Sequence, residues 1–229
     1  MKRNERQRKE KFQYDETNKV FHIQPKTPNQ QRLLEAIEHH PITITLGAAG
    51  VGKTYCATSK VAQLYLRGSY DTIILTRSNV PTGRSLGAFP GTIEEKLTPW
   101  LKPVLSVLEK KLGSHKFEYL VNKKQIQMQP LETIRGCSFE NSLILIDECQ
   151  NLSLEELKAI STRIGENSKM VMMGDASQSD INGGRDILRF VALCKKHGID
   201  LPIIEFDIDD IVRSDIVGQL VKMFTKEKL

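Results

Sequence analysis

A chain of 229 residues, 39% hydrophobic and 27% charged, has the composition of an ordinary water-soluble domain and is long enough for one large core. No apolar stretch approaches the ~18 residues of a membrane span, and the opening MKRNERQRKEK has no apolar run behind it, as a signal peptide would; a cytoplasmic protein without a membrane partner is the expectation. The net charge is +5, but residues 1–11 hold six Lys/Arg against two Glu, so only that segment speaks for a nucleic-acid partner and the rest is near neutral.

Residues 1–20 read as a basic, mobile tail. From Pro28 a helix is predicted, with Leu33, Leu34 and Ile37 on one face. Pro41–Leu46 is a β-branched run that reads as a buried strand, followed by GAAGVGKT and a helix from Lys53 to Gly68. Asp71–Thr76 is a second strand, and residues 77–91 form a long Gly/Pro loop of the kind that usually carries function. A helix is expected over Thr92–Leu112, broken near Pro99 and Pro103, then a short strand over Lys124–Gln129. Leu143–Asp147 is an apolar strand ending in acid, and Ser153-Leu154-Glu155-Glu156 is a capping box opening a helix to about Ile164. Lys169–Met173 is a further strand, Gly184–His197 a helix, Pro202–Phe206 a last strand, and Asp210–Phe224 a C-terminal helix. Strands alternating with helices predict an α/β fold, a mostly parallel sheet with helices on both faces, whose ligands bind at the carboxyl ends of the strands. The four cysteines form no C-x-x-C pair, and neither Cys nor His shows metal-ligand spacing.

Gly47-Ala48-Ala49-Gly50-Val51-Gly52-Lys53-Thr54 fits the P-loop pattern G-x-x-x-x-G-K-[ST], in the required strand–loop–helix context. Its backbone N–H groups are expected to cradle phosphates, Lys53 to reach the β- and γ-phosphates and the Thr54 hydroxyl to bind Mg²⁺, making ATP and Mg²⁺ the implied cofactors. LILIDECQN (Leu143–Asn151) reads as a Walker B strand. Asp147 is placed to hold the metal and Glu148 to deprotonate an attacking water. Gln178 follows a strand and a polar turn, where it could sense the γ-phosphate or the lytic water. Gln30 precedes the first strand, where an amide could read an adenine edge, and Arg213 could act as an arginine finger. Arg77, Arg84 and Phe89 on the long loop are predicted to contact nucleic acid.

These segments occur together in a pattern that resembles the PhoH-like ATPases, a family related to superfamily 1 helicases. The stretches that carry the likeness are TPNQ (Thr27–Gln30), GAAGVGKT, Ile74–Pro103, Ile134–Gly136, LILIDECQN, Ser161–Asp180 and DIVRSDIV (Asp210–Val217). Ala48 stands where the family usually has Pro, and Cys149 where it has Ala or Ser. The resemblance implies a single RecA-like ATPase domain over residues 21–229. It places Gln30 at the adenine, Lys53 and Thr54 at phosphate and metal, Asp147 and Glu148 as Walker B, Gln178 as sensor and Arg213 as finger. It further implies RNA or single-stranded DNA as partner and a homo-oligomer, pointing to a hexameric ring. Two other readings stand beside this one: a nucleotide-switched binding module with little turnover, and a small-metabolite kinase, against which the Asp147-Glu148 pair speaks.

Overall fold

The computed structural model describes residues 20–78, 93–134, 136–175 and 185–212, together with Ile216, Gln219, Leu220 and Met223. The basic segment, most of the long loop with Arg84 and Phe89, and the candidate residues Gln178 and Arg213 lie outside the described residues.

The chain opens with α1 (Pro28–His39), capped by the Thr27 hydroxyl, which accepts from Gln30 N–H at 3.2 Å. There follow β1 (Ile42–Leu46), α2 (Lys53–Leu66), β2 (Thr72–Arg77), α3 (Ile93–Leu112), α4 (Ser114–Asn122), β3 (Ile126–Met128), α5 (Leu131–Ile134) and β4 (Ser142–Asp147). A 3₁₀ turn over Cys149–Asn151 leads to α6 (Leu154–Ser161), β5 (Lys169–Gly174), α7 (Arg185–Lys196), β6 (Ile203–Glu205) and a second 3₁₀ turn, Ile208–Asp210. The capping box of α6 forms as the sequence predicts, Ser153 and Glu156 each accepting the other's backbone N–H.

The strands form one sheet in the order β3-β2-β4-β5-β1-β6, and every adjacent pair is parallel. Side chains of a strand alternate between faces, so each central strand feeds two cores. Ile73, Leu75, Leu143, Leu145, Val171 and Met173 pack with α1–α4, through Leu33, Ile37, Val61, Leu101 and Leu108 among others. Ile44, Leu46, Ile74, Ile144, Ile146, Met170 and Met172 face the other way, against Leu157 and Ile160 of α6 and Ile187 and Val191 of α7. A sheet covered on both faces explains why these strands read as near-continuous apolar runs.

Helices α4 and α5 are additional to the predicted elements, and two of the predicted elements differ from expectation. Helix α3 runs unbroken through Pro99 and Pro103. A helix-interior proline costs about 3 kcal/mol, but α3 buries Leu97, Leu101, Val104 and Leu108 on one face. At roughly 1.5–3 kcal/mol for each such side chain, packing outweighs the two lost donors. The segment after β6 does not enter a helix at Asp210. The Asp210 carboxylate turns back to accept from Asp207 N–H at 3.0 Å and Asn29 Nδ2 at 2.7 Å, and Val212 N–H donates to Gly50 O at 3.2 Å. Ile211 is therefore extended, and among the described residues beyond it helical backbone is found at Ile216, Gln219, Leu220 and Met223.

Candidate nucleotide site

Three strands end side by side. β1 runs into the glycine loop, β5 into Gly174-Asp175 and β4 into Asp147-Glu148, with β5 lying between the other two. Gly47 N–H donates to Gly174 O at 3.1 Å and so docks the start of the loop on the end of β5. The loop closes at Gly52, the N-cap of α2, in left-handed backbone (φ +88). A Cβ there would lie 2.7 Å from Gln30 Nε2, so only glycine serves both the turn and the contact.

A cavity of about 370 Å³ opens on this edge, with Gly50, Gly52, Lys53 and Thr54 on one wall and Asp147, Glu148 and Asp175 facing them. The Lys53 ammonium curls over its own loop, donating to Gly47 O and, at 2.8 Å, to Ala48 O. Burial lowers its pKa, against the pull of the Asp175, Glu148 and Asp147 carboxylates, which raise it. Asp147 is pushed up to about 6 by burial, which outweighs the neighbouring Arg77 charge. Burial likewise drives the Cys149 thiol far up, so it is an inert packing group.

Glu148 holds a left-handed conformation (φ +55, ψ +41). For a non-glycine residue that is a strained state costing about 1–3 kcal/mol, of the sort found where function fixes a side chain. Gln150 holds the carboxylate from one side. Its Nε2 donates to Glu148 Oε2 at 2.5 Å while its Oε1 accepts from Asp175 N–H at 3.0 Å, tying the ends of β4 and β5 together. Arg77 approaches from the other side. Nη2 lies 3.1 Å from Glu148 Oε1, and Nη1 lies 3.4 Å from Asp147 Oδ2 and donates to Trp100 O at 3.0 Å.

Of the residues proposed from sequence, Ala49, Gly50, Gly52, Lys53, Thr54, Asp147 and Glu148 thus line one cavity, Gly47 and Ala48 carry the carbonyls that hold Lys53, and Val51 is buried in the core. Gln30 is buried behind the loop. Its Nε2 donates to Val51 O at 2.9 Å and its Oε1 accepts from Lys26 N–H at 2.8 Å, leaving one N–H and one lone pair for any further partner. Sequence reasoning gives Gln150 no role and aims Arg77 at nucleic acid. Gln150's place inside LILIDECQN is a visible signal; Arg77's pairing depends on strand order, since β2 and β4 are neighbours with Arg77 in register with Asp147.

The donor set fits Mg²⁺ held jointly with phosphate. Thr54 and Asp147 offer hard oxygen ligands, and among the described residues no group of three or more His, Cys, Asp or Glu could hold a metal ion alone.

This parallel sheet and phosphate-type loop define an α/β P-loop fold of the RecA-like kind. A solved neighbour agrees on the fold: the large terminase of a thermophilic bacteriophage superposes with a TM-score of 0.54 at 14% identity, covering 87% of this chain and 50% of that one. The profile of the PhoH-like protein family matches residues 22–225, and the chain belongs to that family. It is 35% identical over 206 residues to the PhoH-like protein of Bacillus subtilis (strain 168), covering 90% of this chain and 65% of that relative. Its identity to the PhoH-like protein of Mycobacterium tuberculosis (strain ATCC 25618 / H37Rv) is 36% over 205 residues, 89% of this chain and 58% of that one. The chain therefore spans about three-fifths of the length of these curated relatives.

Proposed function

We propose that this protein binds Mg²⁺–ATP and hydrolyses it, and that turnover is coupled to binding or remodelling RNA or single-stranded DNA by a cytoplasmic homo-oligomer. The observation that carries the ATPase reading is the convergence of Lys53 and Thr54 with Asp147 and Glu148 on one cavity at the carboxyl ends of the strands. The loop N–H groups and the start of α2 offer partial positive charge to phosphates. Lys53 would leave its loop carbonyls for the β- and γ-phosphates. Thr54 and Asp147 would hold Mg²⁺, which supplies charge neutralisation on the phosphates. Glu148 would take the proton from the attacking water. Gln178 and Arg213 are proposed as sensor and finger, with Arg213 supplied by a neighbouring subunit, because one RecA-like unit gives only one wall of a site that two-domain helicases build from two.

The nucleic-acid partner rests on the likeness to helicase-related proteins and on the basic opening segment. The cytoplasmic placement rests on four free cysteines, the thiol state of a reducing compartment. One observation favours the second reading, a nucleotide switch with little turnover: in this conformation Glu148 is tied by both Gln150 and Arg77.

ATP binding and turnover, measured with and without single-stranded polynucleotide, test the proposal. Mg²⁺-dependent binding that Lys53→Ala abolishes, with turnover raised by polynucleotide, is the expected result. Turnover indifferent to RNA and DNA would overturn the coupling, and absence of Mg²⁺–ATP binding would overturn the whole reading.

A further inference from the structure

Arg77 makes more contacts with the carboxylate pair than any other cation described. It ends β2 directly beside Asp147 in the parallel register, and Ser78 N–H donates to Asp147 O at 3.2 Å, so the two strand ends are locked together. The guanidinium bridges Asp147 Oδ2 (3.4 Å) and Glu148 Oε1 (3.1 Å), with its side chain only 23% exposed. Two adjacent carboxylates repel each other, most strongly where water is scarce. Cations must offset them: Lys53 does so from across the cavity, and in this conformation Arg77 is the one in direct contact with both.

We propose that Arg77 is a positioning residue that holds the metal's place against Asp147 and Glu148, and that it must yield when a divalent cation enters with nucleotide. The inference rests on the reading of the cavity as a Mg²⁺–nucleotide site. A +1 charge already seated on the carboxylates weakens their attraction for a +2 ion. Arg77 therefore sets the metal concentration at which the site loads, and it releases Glu148 only when metal is present. The guanidinium's remaining contacts carry this exchange outward. Nη1 donates to Trp100 O at 3.0 Å, and the guanidinium carbon lies 5.8 Å from the Trp100 ring centroid, so α3 feels which partner Arg77 has. Trp100 is the chain's one tryptophan and is half-exposed, which makes its emission a direct report on Arg77.

The test titrates Mg²⁺ into protein plus a non-hydrolysable ATP analogue, reading both a fluorescent nucleotide and Trp100 emission. In the wild type, Trp100 emission should change on adding Mg²⁺ and analogue together and not on adding analogue in EDTA. Arg77→Gln should half-saturate at a Mg²⁺ concentration on the order of 3- to 30-fold lower, as expected for removing one nearby charge, and should lose the Trp100 change. Arg77→Lys, which keeps the charge, should need Mg²⁺ within about threefold of the wild type. A folded Arg77→Gln protein with an equal or higher Mg²⁺ requirement overturns the proposal. If Arg77→Gln does not fold, the wild type decides: Trp100 emission unchanged at saturation overturns the proposal equally. A wild type that binds no nucleotide overturns the underlying site reading instead, so the two failures are distinguishable.

Discussion

Asp147 shows at the scale of one residue what the site costs the fold. Its carboxyl is buried and its pKa is raised from 3.8 to about 6. A raised acid binds its proton more tightly folded than unfolded. The stability it contributes is therefore complete below about pH 4 and is lost as pH rises through about 6. Asp147→Asn removes this titration. The variant should be more stable than the wild type at pH 7, by on the order of 1–3 kcal/mol, and the gap should close by pH 4. Urea unfolding at the two pH values measures it; a gap that does not change with pH would contradict the burial account. Gly174 makes a related point about crowding. A Cβ there would lie 2.7 Å from Gln150 Oε1 and 2.8 Å from Cys149 Sγ, so β5 passes against the turn that carries the carboxylates with no room to spare.

Helices α1 and α2 are joined by an ion-pair group that no sequence motif marks. Glu38 pairs with Lys60 and, at 2.5 Å, with Arg67, while Lys60 also donates to Gln63 Oε1 at 3.1 Å. Burial pushes the Glu38 pKa up, but the hydrogen bonds and charges of Lys60 and Arg67 together leave it lowered. A depressed acid contributes stability above its unfolded pKa, near 4.5, and loses it as pH falls through the folded value. Glu38→Gln should cost roughly 1 kcal/mol at pH 7, a modest sum because the pair is partly solvated, and the cost should shrink as pH falls below 4.5 through the folded value. A pH-independent cost in thermal or urea unfolding would show that shape, not charge, matters there.

The elements legible in the sequence are those whose local signals and packing agree. The central strands are short apolar runs, and the P-loop carries its own grammar of Gly, Lys and Thr. Helix α3 departs from its sequence reading because proline is a local signal, whereas the compensating burial of Leu97, Leu101, Val104 and Leu108 is tertiary. Helix α4 escapes a sequence reading because it is short: its apolar face, Phe117, Leu120 and Val121, spans little more than one turn, and of these only Leu120 is fully buried. In the site, the residues of the two motifs can be named from sequence. Arg77 cannot be assigned to the carboxylates that way, because nothing local says that β2 lies next to β4.

At the scale of the whole molecule, strand order is what assembles the site. Placing β5 between β1 and β4 separates the loop from the carboxylates by one strand and leaves the cavity between them. The proposed trans contribution of Arg213 belongs to this scale. Lys53→Ala and Arg213→Ala proteins should each be inactive alone. When mixed under conditions of subunit exchange, they should regain part of the activity, because some interfaces then pair an intact P-loop with an intact Arg213. A mixture that exchanges subunits and stays inactive, or a wild type fully active as a monomer, would contradict shared sites.

If this cavity is the proposed hydrolytic nucleotide site with Glu148 as its base, single-turnover ATP hydrolysis will separate wild type from Glu148→Gln. Glu148→Gln should still bind Mg²⁺–ATP while its hydrolysis slows by roughly 10²–10⁴, the usual loss on removing a general base. Hydrolysis by Glu148→Gln at the wild-type rate would contradict it.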